Sequence, residues 1–334
     1  MTVRPHDAAH WGALRAAVGL AVPALLLLAT GNLEHALPVT FGAFAGVYGR
    51  HAPYRARLRV QAGAGALLVA CVVAGTSAAA LGVPALAVLV PALASGAGFL
   101  AARREGWLPP GSLFATFAAG ACAAHPRPWA DVGTALALSA AAAAFAVLLG
   151  QAGALLPAGR RRPKRQVAAG PSVGEQVRDP VARGDLLAHV LAPLLAGTLA
   201  TAAGGGHPYW AMVSAVAPLS AAGARDRLAR SVHRVLGTLA GVVLALALLS
   251  LEPSPLATIA LATLFQVWAE LLVTRHYALA VVGITPLALL MVHLAVPVDP
   301  VSVAADRAVQ TVLGSAVAVA LVLLASRRAA SGER

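Results

Sequence analysis

The sequence predicts an all-α integral membrane protein of about twelve transmembrane helices, arranged as two parallel six-helix repeats. Three observations carry that prediction. The 334 residues are 59% hydrophobic and only 11% charged, whereas a soluble domain carries roughly 25% charged residues, so too little polar side chain exists to face water. The apolar residues fall into runs of the ~17–25 positions that a bilayer-crossing helix needs. The two halves of the chain also resemble each other at a fixed offset.

In chain order the predicted spans are 11–30, 36–50, 58–80, 83–102, 108–124 and 132–156, then 185–203, 208–223, 229–250, 254–273, 277–294 and 303–326. The first follows Arg4 and contains an apolar core from Ala16 to Ala29. That pattern matches a signal peptide, but this helix has a counterpart deep in the chain, which argues against cleavage. Spans two and eight, 36–50 and 208–223, are short and interrupted by glycine or proline, as re-entrant segments are. Span five is broken by Pro109-Pro110 and span eleven by Thr285-Pro286. The domains follow: an N-terminal six-helix repeat over 1–156, a linker over 157–184, a C-terminal repeat over 185–328 and a tail over 329–334. The linker holds "GRRRPKRQ" with Gly, Pro and Ser, and reads as a basic, disordered cytoplasmic tether.

Charge fixes the parity. Lys and Arg concentrate on the cytoplasmic side of membrane proteins. With twelve spans and both termini inside, 23 of the 25 cations fall on the inner side, and only Arg127 and Arg307 fall outside. Removing the two short spans puts the arginines that follow them on the wrong face. The expected location is therefore the inner (cytoplasmic) membrane, multi-pass, with the lipid bilayer as first partner.

The repeat is visible at an offset of about 170–175. Pro23 lies under Pro193, Arg57 under Arg230, Trp107 under Tyr277 and Asp131 under Asp306. Six spans per half is an even number, so both halves run the same way, related by an axis along the membrane normal. Short or broken segments at matching places in two halves point to a transporter's binding site.

Several classes are excluded. The net charge of +12 invites a nucleic-acid reading, yet only 5% of residues are aromatic and no polar domain exists to hold a duplex. Cys71 and Cys122 lie inside apolar runs without Cys/His spacing, so they read as small hydrophobes rather than a disulfide or metal site. No phosphate loop, paired-His metal helix or nucleophile constellation is present, so the expectation is no enzyme, no metal and no cofactor.

The second half carries "HPYWAMVSAV", then "RSVHRVLGTLAG", then "AELLVTRHYALAVVGITPLALL", then "DRAVQTVLGSAVAVAL". These four motifs in order resemble the fusaric acid resistance family, also called aromatic acid exporters. The resemblance covers about 205–325 well and the first half as a degraded copy. It implies export of small, often aromatic, organic anions across the cytoplasmic membrane, possibly coupled to protons. Many members also carry large soluble cytoplasmic domains; a function housed there is absent here or supplied by a soluble accessory subunit. The last helix of the family carries an acidic residue before its threonine, where this chain has Gln310 before Thr311, which weakens proton coupling at that position. An anion-channel-like pathway and a non-transporting scaffold needing a soluble partner are the alternatives, and a homo-oligomer is also open.

The candidate residues follow from charge and aromaticity inside apolar runs. Arg230 and Arg234 are one turn apart on span nine; either they mark a cytoplasmic helix end or they line an inner mouth and grip a carboxylate with their planar forks. Arg225 and Arg227 are expected in a loop, where they set topology. Gly237 and Gly241 permit close backbone approach. Arg307 sits inside a span against the positive-inside bias, which marks a functional candidate by default; its adjacent Asp306 does not share its face. Tyr209, Trp210 and Tyr277 are either interfacial aromatics or stacking surfaces for an aromatic substrate, and Thr311 joins them as a substrate-binding candidate. Glu270 either pairs with a cation or moves protons, and His207 is a second proton-coupling candidate.

Overall fold

The computed structural model describes residues 9–50, 52–109, 112–155, 170–296 and 298–330. Among these no strand occurs and the chain is helical nearly throughout. In chain order the helices are α1 (Ala9–Thr30), α2 (Ala36–Ala43), α3 (Tyr54–Leu81), α4 (Leu86–Glu105), α5 (Leu113–Ala123) and α6 (Ala130–Ala152). A short α7 (Val173–Arg178) precedes α8 (Pro180–Ala202), α9 (Tyr209–Val216), α10 (Ala224–Leu249), α11 (Pro255–Leu272), α12 (Tyr277–Ala295) and α13 (Pro300–Ala330).

Helix ends follow local chemistry. Gly82 and Gly106, at φ of 66° and 61°, stop α3 and α4 in the left-handed conformation that other residues resist. Asp179 accepts the N–H groups of Val181 and Ala182 at the start of α8, with Pro180 in the first turn, and Ser254 with Pro255 does the same for α11.

Among the described residues nine helices are long and apolar enough to cross a membrane: α1, α3, α4, α6, α8, α10, α11, α12 and α13. These match nine of the predicted spans. The other three expected spans are short helices. α2 and α9 have eight residues each, followed by four-residue 3-10 turns at Phe44–Val47 and Ala217–Ser220. At 1.5 Å per α-helical and about 2 Å per 3-10 residue, each rises roughly 20 Å, short of the ~30 Å hydrocarbon core. α5, with eleven residues, is shorter still at about 17 Å. Every residue of α2 and α9 is buried, as broken helices at membrane depth must be, since lipid cannot satisfy their free backbone groups.

Packing between helices is reciprocal. α3 packs on α5 and α6, and α10 on α12 and α13; α2 lies against α6, and α9 against α13. Between the halves α1 packs on α11, and α8 on α4. Glycines let these helices approach. A methyl group on Gly42 would clash with the Ser139 carbonyl of α6, and one on Gly314 with the Ala211 carbonyl of α9. The outward face is apolar: Leu148, Val243 and Leu26 are among its most exposed side chains, which suits lipid rather than water.

Two expectations need correction. The linker was expected to be disordered over 157–184, but 173–178 is α7 and α8 begins at Pro180. Ser172 and Glu175 form a reciprocal capping box, and buried Gln176 donates to the Leu100 and Pro171 carbonyls. Local capping chemistry outweighs composition there; residues 157–169 lie outside the described residues, as does most of the tail over 329–334. Arg225 and Arg227 are not in a loop either, because α10 starts at Ala224.

Candidate functional site

Between the two halves lies a cavity of about 180 Å³. One wall is aromatic and comes from the first half: Phe41, Phe44 and Tyr48 from α2 and its 3-10 extension, with Phe114 and Phe117 from α5. Their rings interlock at 4.9–6.0 Å, Phe41 with Phe117 and Phe44 with Phe114 among them. The cationic part of the lining comes from the second half, with Arg230 and Arg234 of α10 on Tyr277 of α12 and Arg307 entering from α13.

Each guanidinium is held differently. Arg234 is 3% exposed; its Nε donates to Ser214 Oγ at 3.1 Å and its Nη1 to Tyr277 Oη at 3.3 Å. Arg230 lies over the Tyr277 ring, 4.0 Å from its centroid. A cation–π contact out of water is worth about 2 kcal/mol. Arg307 is 1% exposed and lies 3.9 Å over the Trp210 ring, while its Nε and Nη1 have no hydrogen-bond partner among the described residues. None of the three forms an ion pair with a described acidic group. The cavity's one carboxylate among its lining residues, Glu270, is already paired: Arg50 Nη1 donates to Glu270 Oε2 at 2.9 Å and to its main-chain oxygen at 3.1 Å.

A shallower recess of about 410 Å³, lined by Arg230, His233, Arg275, His276 and Tyr277 among others, lies beside the cavity. Arg230 and Tyr277 line both, so this stacked pair is the partition between them.

The structure thus brings Arg230, Arg234, Tyr277, Arg307 and Glu270 around one space. It separates the other candidates from it. Trp210 braces Arg307 from behind, and Tyr209 stacks on Phe117 at 6.0 Å; both are buried, and neither is an interfacial aromatic nor a lining residue. Thr311 is buried with its hydroxyl unpartnered, outside the lining. His207 pairs with Asp306 at 2.7 Å, which also accepts from Gln310 at 3.1 Å; Asp306 therefore does not serve Arg307, as the helix geometry requires. The His207 ring lies 5.5 Å from that of His125. Burial, then the charges of His207 and Arg127, push His125 below the ordinary histidine value.

The first half uses its matching arginine otherwise. Arg57, 1% exposed, donates to the carbonyls of Gly49, Gly150, Arg50 and Ala52 at 2.9–3.3 Å. It ties chain segments together, whereas Arg230 stands at a cavity. Sequence reasoning missed Arg50, Ser214, Gln266 and the aromatic wall. A signal for the wall was present: four of the chain's seven phenylalanines, Phe41, Phe44, Phe114 and Phe117, line this one cavity.

Comparison with known proteins bears on the second half. Residues 195–321 match the family model described as "Fusaric acid resistance protein-like". A search of curated proteins finds no match, and a search of solved structures finds none either. The matched residues contribute Arg230, Arg234, Glu270, Tyr277 and Arg307 to the cavity, while the aromatic wall and Arg50 lie outside the match. The nine long apolar helices fit a multi-pass membrane protein.

Proposed function

We propose that this protein is a secondary transporter, not an enzyme, that exports small aromatic organic anions through the cavity between its halves. The observation that carries the reading is that cavity: a wall of aromatic rings faces three guanidinium groups, and its one lining carboxylate is neutralised by Arg50. A ring suits the aromatic wall, and an anion suits the unpaired guanidinium groups. The volume fits as well, since a cavity of about 150 Å³ takes up benzene. The match of residues 195–321 to a fusaric acid resistance protein-like model supports transport as the activity.

In this reading the chain crosses the inner membrane twelve times, with α1–α6 and α8–α13 as parallel repeats, both termini inside, and α2, α5 and α9 as broken spans. The mirrored helix contacts and the positive-inside count support it. Arg230 and Tyr277, shared by the cavity and the recess on its inner side, act as the partition an anion passes. Glu270 is the group available for proton coupling, and Arg50 is its partner.

The test is anion binding to the purified protein in nanodiscs. Benzoate is the probe. Arg234→Lys keeps the charge but loses the fork, and a charge-assisted hydrogen bond is worth about 1.5–3 kcal/mol. Affinity is expected to fall about tenfold or more, and Arg230→Lys is expected to lower it as well. Arg225→Lys is the control, because Arg225 is exposed; Arg227 is unsuitable, since it pairs with Asp185. Equal effects at Arg225 and Arg234, or no binding of benzoate at all, overturn the proposal.

A further inference from the structure

Resting on the proposed function, the geometry points to a ligand with two anionic groups on one aromatic body. One group is held by Arg234 and Arg230, and the other by Arg307. We propose that the protein is selective for aromatic dianions, such as ring dicarboxylates, over monoanions of the same shape.

The argument begins with charge. Five charged side chains line the cavity; Arg50 and Glu270 cancel, which leaves three guanidinium groups and no described carboxylate to answer them. A single carboxylate would leave two of them uncompensated in a low-dielectric space, which is unfavourable. The second point is position. Arg230 and Arg234 enter from α10 and share Tyr277, whereas Arg307 enters from α13 and rests on Trp210. Arg234 is hydrogen-bonded to Ser214 and Tyr277, whereas Arg307 rests on Trp210 with Nε and Nη1 unpartnered, so no hydrogen bond ties the two to a common side chain. They are two cationic centres rather than one cluster.

The third point is the state of Arg307 itself. It is a nearly fully buried side chain, flat on an indole, lining the cavity, with two nitrogens unpartnered. A buried guanidinium without acceptors is rarely left so in a folded protein. Trp210 fixes the plane of the group and takes none of its hydrogen-bond donors. That leaves an edge suited to a planar carboxylate. The aromatic wall of the same cavity holds the body of the ligand.

The experiment uses three probes on the full-length protein in nanodiscs: isophthalate, its monomethyl ester, which has the same shape and one fewer charge, and benzoate. Isophthalate is expected to bind the wild type about tenfold or more tightly than the ester, one charge-assisted contact being worth that much. Arg307→Gln is expected to collapse that gap, weakening isophthalate about tenfold more than the ester, and a monodisperse gel-filtration peak with a cooperative thermal transition reports the fold. Should Arg307→Gln fail to fold, Arg307→Lys and the wild-type gap itself carry the test; a lysine in that place is expected to keep part of the gap. Equal wild-type affinity for isophthalate and the ester overturns the inference, with benzoate binding and its loss in Arg234→Lys leaving the proposed function standing. A gap that survives Arg307→Gln unchanged also overturns it, because the second centre then lies elsewhere. Failure of all three probes to bind overturns both.

Discussion

Glu270 shows how one residue carries two readings that one structure divides. It lies near the end of α11, on the cavity lining, with its side chain 6% exposed and its carboxylate on Arg50, whose side chain is 17% exposed. Breaking a buried pair from one side costs about 3–5 kcal/mol, because the surviving charge is stranded. Glu270→Gln is therefore expected to destabilise the protein by about 3 kcal/mol, the low end, since Arg50 keeps some access to solvent. Arg50→Gln with Glu270→Gln is expected to recover most of that, as followed by thermal unfolding in nanodiscs. An unchanged melting temperature in the single variant counts against the pair. The candidates Arg230, Arg234, Tyr277, Glu270 and Arg307 were legible because polar side chains are scarce in a chain only 11% charged, so a charge inside an apolar run stands out. Arg50 was not legible as their neighbour. It is 220 positions from Glu270, and only the packing of the halves brings the two together. Tyr209 and Trp210 were singled out for their aromaticity, but aromaticity alone does not say whether a ring faces a cavity or supports the cation that does.

At the scale of helices, hydrophobic runs located nine long elements well, because a bilayer fixes their length. Run length could not say that spans two, five and eight end as short helices, since that depends on neighbours which cover their backbone. α7 was missed although Ser172 and Glu175 spell a capping box, because the basic residues before it dominated the reading. Glycines sort in the same way. Gly133 in α6 meets nothing within 4 Å, while a methyl on Gly241 in α10 would lie 2.7 Å from Thr285 Cβ and 2.8 Å from the Val282 carbonyl of α12. Gly133→Ala is expected to stabilise by about 0.5–1 kcal/mol through helix propensity. Gly241→Ala is expected to destabilise by about 1–3 kcal/mol, because a backbone carbonyl cannot step aside and overpacking outweighs propensity. Unfolding of the two variants side by side checks the sign; the same sign in both would show that packing of α10 on α12 is not specific.

At the scale of the whole molecule, the cation bias makes a statement about sides. In a background with Cys71 and Cys122, both buried, replaced by alanine, Leu251→Cys and Arg225→Cys place single thiols at opposite ends of α10, both at exposed positions. An impermeant maleimide added to intact cells is expected to modify Leu251→Cys and spare Arg225→Cys. Labelling of Arg225→Cys from outside would end the twelve-span topology. An offset between the halves was readable in the sequence, but the sharing of one cavity between them was not, because the residues involved do not correspond to one another. That sharing has a consequence for synthesis. The first half is made first, and its aromatic wall of Phe41, Phe44, Phe114 and Phe117 then lacks Arg230, Arg234 and Arg307. For as long as the ribosome takes to make the second half, those rings have only one another, their own half and lipid to lie against. The later helices must then displace it to bring their guanidinium groups home. The cavity is thus the last part of the molecule to exist, and it is completed by assembly rather than by the folding of either half.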